Sequence, residues 1–225
     1  MTLRDCFGDW MNIIDINELA KVTAKLNAMY NDICITPNKE DVFKSFYLCP
    51  VKNLKIVFLG QDPYPQKGVA TGILFGNNKD VTEDKLSPSL QIVKRACIDY
   101  TVPHSIVDFD NTLETWAKQG ILMLNSSLTC EVNNVGSHVM LWRPFIASLL
   151  KKLSNNYPGI VYVLFGNTAQ TFVPYINPLS NNIIKVNHPA WYARMNVEMP
   201  NSVFKDIDSL LISKYGSTIK WFNEY

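Results

Sequence analysis

The sequence predicts an α/β fold, with a central four-stranded, mostly parallel sheet and helices on both of its faces. Two observations support this prediction. Short, fully apolar runs recur along the chain, and segments with apolar residues at helical spacing separate them. Strands that alternate with helices in this way typically form parallel sheets. With 225 residues the chain is long enough for one substantial core, so we expect a single domain over residues 1–225, in which residues 1–15 follow no readable pattern.

Four short segments rich in apolar residues are predicted to be strands, and the first of them, an apolar run ended by glycine, is typical of a strand buried on both faces. In chain order they are residues 56–59, 121–124, 160–166 and 182–187. The first run ends at Gly60, and Pro63 and Pro65 then prevent either a helix or a strand from continuing.

Helical spacing and helix-start signals predict the segments between the strands. The predicted helices are residues 16–33, 88–100, 111–119, 142–153, 167–175 and 202–215, with a short helix or turn at 41–46. Ser87 is the predicted N-cap of the second helix and Pro88 its first residue. Residues 190–194 are predicted to be a loop.

Composition argues against several classes of protein. No apolar run reaches the ~20 residues of a membrane span, and the N-terminus lacks the charged and apolar regions of a signal peptide, so we expect a cytoplasmic or nuclear protein. The five cysteines form no Cys-x-x-Cys pair, which predicts free thiols, no metal site and no cofactor. A net charge of +1 does not indicate nucleic-acid binding, although backbone N–H groups and hydroxyls can supply many phosphate contacts.

Polar side chains follow three of the predicted strands. Asp62 lies on the turn after the first strand, Asn125 ends the second and His188 follows the fourth. Parallel strands end at one edge of a sheet, where open α/β proteins bind ligands, so these side chains should meet there. Singly, they fit a turn former or helix cap, a loop cap and a core histidine. Together, a carboxylate, an amide and an imidazole favour a reaction site.

Residues 60–65, Gly-Gln-Asp-Pro-Tyr-Pro, closely resemble the water-activating loop of family-1 uracil-DNA glycosylases. Further motifs match this family in the same order: Pro-x-x-x-Asp-Val-Phe at 37–43, Gly-Ile-Leu-Phe at 72–75, Ser-Pro-Ser-Leu at 87–90, the run 116–125, Gly-Ser-His at 136–138 and His-Pro at 188–189. The resemblance implies a uracil-DNA glycosylase-like fold. It also implies a monofunctional DNA-repair hydrolase that flips uracil out, cleaves its N-glycosidic bond with water and leaves an abasic site.

The resemblance implies two catalytic residues. Asp62 supplies negative charge near the cation-like sugar and activates water, while a neutral His188 imidazole donates to uracil O2.

Four residues are implied to contact uracil. Asn125 pairs with N3–H and O4, and Gln61 belongs to the wall around O2. Tyr64 fills the space of thymine's methyl group and Phe75 stacks on the base. Turn packing for Tyr64 and core packing for Phe75 are the alternatives.

DNA contacts are implied for two further loops, where Pro88, Ser89 and Ser137 hold the flanking phosphates. His138 has three interpretations: it binds a phosphate, it supports the Ser137 loop, or it packs behind that loop.

The sequence departs from the family after the His-Pro pair. The family continues with Ser-Pro-Leu-Ser, in which a serine binds phosphate and the leucine wedges into the duplex, whereas residues 190–194 are Ala-Trp-Tyr-Ala-Arg. Ala190 has no hydroxyl to offer. Tyr192 takes the leucine's position, so we expect Tyr192, or else Trp191, to be an aromatic wedge. Arg194 would replace the lost phosphate contact, with an altered preference between single and double strands.

The expected partner is uracil-containing DNA, single- or double-stranded, bound by a monomer that does not associate with membranes. A protein inhibitor of uracil-DNA glycosylases is a further expected partner. Two other functions stay open: a DNA-binding accessory subunit that keeps the fold, and a glycosylase of wider base range. The intact Asp62, Asn125 and His188 argue against the first, and Tyr64 with Asn125 against the second.

Overall fold

The computed structural model describes residues 3–29, 33–101 and 106–225. Its helices in this part of the chain are α1 (Leu3–Phe7), α2 (Ile16–Met29), α3 (Lys44–Leu48), α4 (Pro88–Thr101), α5 (Glu114–Lys118), α6 (Val139–Asn156), α7 (Gly166–Gln170), α8 (Pro189–Met195) and α9 (Ser202–Tyr215). Short 3₁₀ helices cover Gly8–Asn12, Val51–Asn53, Glu83–Lys85 and Val173–Tyr175. The strands are β1 (Ile35–Thr36), β2 (Ile56–Gly60), β3 (Val107–Asp108), β4 (Ile121–Asn125), β5 (Cys130–Glu131), β6 (Val161–Phe165), β7 (Asn182–Val186) and β8 (Asn223–Glu224).

The predicted sheet is confirmed for the described part of the chain. Four strands pair in the order β4-β2-β6-β7, and every pairing in this sheet is parallel. Gly60 lies opposite Asn125 where β2 and β4 end, so the carboxyl ends of these strands are level. Two small antiparallel pairs, β1 with β5 and β3 with β8, lie outside this sheet.

Strands β2, β4 and β6 are apolar on both sides because each face of the sheet packs against helices, whereas the edge strand β7 carries the exposed residues Asn182 and Lys185. Val57, Leu59 and Tyr162 belong to a core on one face, with side chains from α2 and α6. Phe58, Val163 and their neighbours belong to a second core, with side chains from α4, α5 and α9. Alternate residues of a strand thus enter opposite cores.

The N-terminal segment, which has no readable pattern in the sequence, packs onto the first of these cores. Phe7 and Trp10 are fully buried, and the Trp10 indole N–H donates to the Phe46 and Cys49 carbonyl oxygens at 3.1 and 2.8 Å. These hydrogen bonds satisfy the one polar atom of a buried tryptophan.

Several predicted helix bounds need correction. Helix α2 is described as far as Met29, and residues 30–32, which the prediction also placed in this helix, lie outside the described part of the chain. Helix α5 starts at Glu114 because the Asp110 carboxylate accepts the N–H groups of Thr112 and Thr115, which turns the chain before the helix. Helix α6 is longer than predicted and contains Pro144. The predicted helix 167–175 divides into α7 and a 3₁₀ turn.

Residues 190–194 are helical, which corrects their prediction as a loop. Pro189 occupies the first helical position, and the His188 side chain accepts the Ala190 N–H as an N-cap. A proline in this position and a capping side chain both stabilise a helix start. Elsewhere, α9 has the predicted bounds, and no helix among the described residues is long and apolar enough to cross a membrane.

Candidate active site

A cavity of about 320 Å³ lies where β2, β4 and β7 end. As predicted from the parallel sheet, it brings Asp62, Asn125 and His188 together. Six more residues singled out from the sequence also line it: Gln61, Tyr64, Phe75, Ser89, Ala190 and Arg194. Residues from positions 61 to 194 therefore share one concave surface.

The Asp62 carboxylate is half-buried and held by a backbone donor from a distant loop. The Gly136 N–H donates to Asp62 Oδ2 at 2.5 Å. Burial raises the pKa of Asp62 above its ordinary value, while the hydrogen bonds from Gly136 and the Gln61 side chain act in the opposite direction. A desolvated, oriented carboxylate of this kind can hold a water molecule or stabilise a neighbouring positive charge.

The His188 ring is held as a neutral hydrogen-bond donor. Its Nδ1 accepts the Ala190 N–H at 3.2 Å, so the proton of the neutral ring resides on Nε2. Burial lowers the pKa of His188 to about 4, and the nearby Arg194 charge acts in the same direction. Gly166 makes room for the ring: its φ is +82°, and a Cβ there would lie 2.9 Å from His188 Cβ.

Asn125 presents an acceptor that nothing in the described protein satisfies. Its Oδ1 atom is buried and has no hydrogen-bond partner, and Gly60 leaves the space beside it, since a Cβ at Gly60 would lie 2.7 Å from that oxygen. An unpaired buried acceptor costs about 1–3 kcal/mol. Asn125 also lines the cavity, so its amide is placed to meet a polar edge of a ligand there.

Tyr64 and Phe75 form one unit on the cavity wall. The Tyr64 hydroxyl donates to the Phe75 carbonyl oxygen at 3.0 Å. The Phe75 ring meets those of Phe165 and His188 edge to face, at centroid distances of 5.2 and 5.7 Å. Phe75 has a φ of +63°, a left-handed conformation that a phenylalanine rarely adopts and that is concentrated at functional sites. The core and stacking interpretations of Phe75 are thus compatible, because a buried ring lines the cavity.

A model of the uracil DNA glycosylase superfamily matches residues 46–211. The chain belongs to this superfamily. It is 39% identical to a uracil-DNA glycosylase of Campylobacter jejuni over 171 residues, which cover 75% of this chain and 71% of the relative. It is 35% identical to that of Campylobacter lari, over 88% and 85% of the two chains.

The fold also resembles a solved viral structure. A crystal structure of a mimivirus UNG variant in complex with UGI superposes with a TM-score of 0.84 at 23% identity, covering 98% of this chain and 91% of that chain. The relatives thus show the superfamily, and the superposition shows the fold.

The structure corrects the superfamily-based expectation that Tyr192 could wedge into DNA. Its side chain is 7% exposed and lies in the core beside α4, onto which α8 packs. The neighbouring Trp191 is 39% exposed, and its ring meets that of Tyr192 edge to face at 5.0 Å. Trp191 is therefore the aromatic side chain of α8 that is available to DNA.

His138 is the second correction. It is 2% exposed, and its Nδ1 lies 3.0 Å from Thr129 Oγ1. A side chain this deeply buried cannot reach a phosphate, so two interpretations of His138 remain: it supports the Ser137 loop, or it packs behind that loop.

The two phosphate-loop predictions differ in their surroundings. Pro88 is exposed at the start of α4, and Ser89 is buried against the cavity. Ser87 directly precedes α4: its carbonyl oxygen accepts the Gln91 N–H at 3.1 Å, and its hydroxyl accepts from Asn77 Nδ2 at 2.8 Å. Ser137 Oγ accepts the Glu131 N–H at 2.8 Å, which leaves its own O–H to donate.

Sequence reasoning missed several contributors to the site. The donor to Asp62 is a backbone N–H, which leaves no side-chain signal. Thr168 at the start of α7 donates to Gln61 Oε1 at 2.8 Å. Met195, one turn after Trp191, is 57% exposed, and Val135 at the cavity edge is 61% exposed. Among the described residues, no group of three or more His, Cys, Asp or Glu side chains is placed to hold a metal ion.

Proposed function

We propose that this protein excises uracil from DNA as a base-excision-repair glycosylase, releasing the free base and leaving an abasic site. The observation that carries the proposal is the buried, unpaired Asn125 Oδ1 in a cavity shared with Asp62 and His188. Membership of the uracil DNA glycosylase superfamily supports it independently.

The cleavage step follows from the charges that develop when the N-glycosidic bond breaks. The base leaves with negative charge on O2, and His188 Nε2–H donates a hydrogen bond there without transferring its proton. The pKa of about 4 keeps the ring neutral, and the N–H of a neutral imidazole is a very weak acid. The sugar becomes cation-like, and the Asp62 carboxylate stabilises it and positions the attacking water. One aimed donor of this kind contributes about 10²–10³ in rate.

Side chains that line the cavity select the base. Asn125 Oδ1 accepts uracil N3–H while its amide N–H group donates to O4; cytosine has the reverse pattern at both positions. The Tyr64 ring, fixed by its bond to the Phe75 carbonyl, fills the space that the methyl group of thymine would need. Phe75 stacks on the extruded base, and Gln61 closes the wall around O2.

DNA is held around the cavity by Pro88, Ser89 and Ser137, with Arg194 as a cationic phosphate contact in place of the hydroxyl that Ala190 lacks. Trp191 is the proposed wedge, since its exposed ring can stack on the bases that the flipped nucleotide leaves behind. Flipping costs a few kcal/mol, which stacking of this size offsets.

The proposal also covers the cellular location of the protein, its oligomeric state and its partners. The five cysteines are free, as expected of an intracellular protein in the cytoplasm or nucleus. We expect it to act as a monomer. A protein inhibitor is a further expected partner, because the mimivirus UNG variant of the same fold is a complex with UGI.

One assay tests the proposed function. Single- and double-stranded oligonucleotides that contain uracil, thymine or a mismatched cytosine are incubated with the protein and treated with alkali. We expect strand breaks at uracil alone. Intact uracil strands would overturn the proposal, and breaks at thymine or cytosine would indicate a wider base range.

A further inference from the structure

We propose that Glu131 is a positioning residue for uracil excision: its carboxylate joins the buried His138 to the turn that presents the Gly136 N–H to Asp62. The inference rests on the proposed function, since it takes Asp62 to be the reacting carboxylate.

Both backbone polar groups of Glu131 form hydrogen bonds with residues of the turn that carries Gly136. The Glu131 carbonyl accepts the Asn134 N–H at 3.1 Å, and the Glu131 N–H donates to Ser137 Oγ at 2.8 Å. The Asn133 N–H in turn donates to the Pro65 carbonyl oxygen at 2.9 Å, which ties the turn to the loop of Asp62. The position of the Gly136 N–H therefore depends on residues within five positions of it.

The Glu131 side chain holds the same turn. Its Oε2 accepts from Asn134 Nδ2 at 2.8 Å, while Oε1 lies 3.9 Å from His138 Nε2. The two oxygens of the Glu131 carboxylate thus point to different places: Oε2 contacts the exposed Asn134 side chain, and Oε1 faces the buried His138 ring.

The hydrogen bonds behind His138 indicate which ring nitrogen carries the proton. The Trp142 indole N–H donates to Thr129 Oγ1 at 2.8 Å, so the single Thr129 hydroxyl proton is free for His138 Nδ1, 3.0 Å away. With Nδ1 as acceptor, the neutral ring carries its proton on Nε2. That buried Nε2 has no hydrogen-bond partner in the described protein, and the Glu131 carboxylate is the charge that faces it.

The chain is anchored in the core. Trp142 is fully buried on α6, so hydrogen bonds through Thr129 fix His138 to a rigid helix, and the Glu131 carboxylate faces the ring from the turn with Oε1 3.9 Å from Nε2. Removing the Glu131 carboxylate takes away the charge that faces His138 Nε2 and the acceptor that holds the Asn134 side chain. The Gly136 N–H then loses its fixed distance to Asp62.

The test compares Glu131→Ala and Glu131→Gln with Asp206→Asn, a matched loss of charge at an exposed position on α9. On a single-stranded uracil oligonucleotide, Glu131→Ala should lower kcat by about 10- to 100-fold, the scale on which a misplaced catalytic group loses rate. KM should stay unchanged. Glu131→Gln should lose less, because its amide oxygen still accepts from Asn134.

A second readout separates positioning from simple loss of stability. The Gly136 hydrogen bond acts to lower the pKa of Asp62, so the acid limb of kcat should move to higher pH in Glu131→Ala. The same coupling is visible without turnover, because the Gly136 amide resonance should titrate with Asp62 in the wild type and lose that titration in the variant.

Unchanged kcat and an unchanged acid limb in both Glu131 variants would overturn the positioning role, as would an effect on KM alone. If Glu131→Ala does not fold, the kcat and the acid limb of Glu131→Gln are used for the same test. The wild type could also prove inactive on uracil while its Gly136 amide resonance still titrates with Asp62. That result would overturn the proposed function, but it would leave the link between the Gly136 N–H and Asp62 intact.

Discussion

The floor and the rim of the cavity are built in different ways. The floor consists of Asp62, Asn125 and His188 at or beyond strand ends, where paired parallel strands fix the backbone. The rim consists of α8 and the turn at 132–138, which depend on side-chain caps and single hydrogen bonds. The floor also keeps the superfamily's motifs, whereas α8 departs from them. We therefore propose that the chemistry resides in the floor and that the rim sets how DNA is engaged.

The largest expected effect is at the floor. Asp62→Asn should lower kcat by about 10²–10⁴, because the amide carries no charge to stabilise the sugar or activate water. The loss should be equal on single- and double-stranded uracil DNA, measured in single turnovers. An unchanged thermal midpoint serves as the control for folding.

His188→Ala should come next, with a loss of about 10²–10³ from the missing donor at O2. This change also removes the α8 N-cap, so a lower melting temperature accompanies it. His188→Asn, whose side-chain oxygen can still cap Ala190, should recover the melting temperature and leave the rate low. Recovery of the rate as well would contradict the donor role.

Trp191→Ala at the rim should reduce activity on duplex DNA by about 10-fold, within the range of stacking free energies lost on alanine substitution. Activity on single strands should change little, since there is no base stack to keep open. Tyr192→Ala is the comparison: it opens a core cavity, so it should lower the melting temperature without favouring either substrate. Equal loss on both substrates in Trp191→Ala would rule out the wedge.

The smallest effect is on the pH profile. Above about pH 4 His188 is neutral, because burial and the Arg194 charge lower its pKa. The pKa of Asp62 is raised, so this carboxyl group ionises at a higher pH than an ordinary aspartate does. Activity should therefore show no inflection at the ordinary histidine value and should fall only on the acid side.

Arg194→Gln should raise the pKa of His188, and Arg194→Lys should leave it lower than Arg194→Gln does. Titration of the His188 ring signals by NMR measures both variants. An unchanged His188 pKa in Arg194→Gln would show that Arg194 does not act on the ring.

Much of the floor could be predicted from the sequence because strand-end positions follow from local apolar runs. Parallel pairing then brings residues 62, 125 and 188 to one edge without further information. The helix 202–215 is predictable for the same reason, since its apolar spacing is a local signal, and in the structure Gly216 is its C-cap.

The rim could not be predicted in the same way. Helix α8 depends on a His188 side chain that also faces the cavity, and the burial of Tyr192 depends on how α8 docks onto α4. The Gly136 donor is a backbone group whose position depends on Glu131 and the interior behind it. These are tertiary contacts, and no spacing in the sequence reports them.

The division between floor and rim is tested most directly by the ratio of duplex to single-strand rates. Single-turnover rates on matched uracil oligonucleotides would be measured for the wild type, Asp62→Asn and Trp191→Ala. We predict that Asp62→Asn lowers both rates by the same factor and keeps the wild-type ratio, whereas Trp191→Ala lowers the ratio. A changed ratio in Asp62→Asn together with an unchanged one in Trp191→Ala would contradict the account.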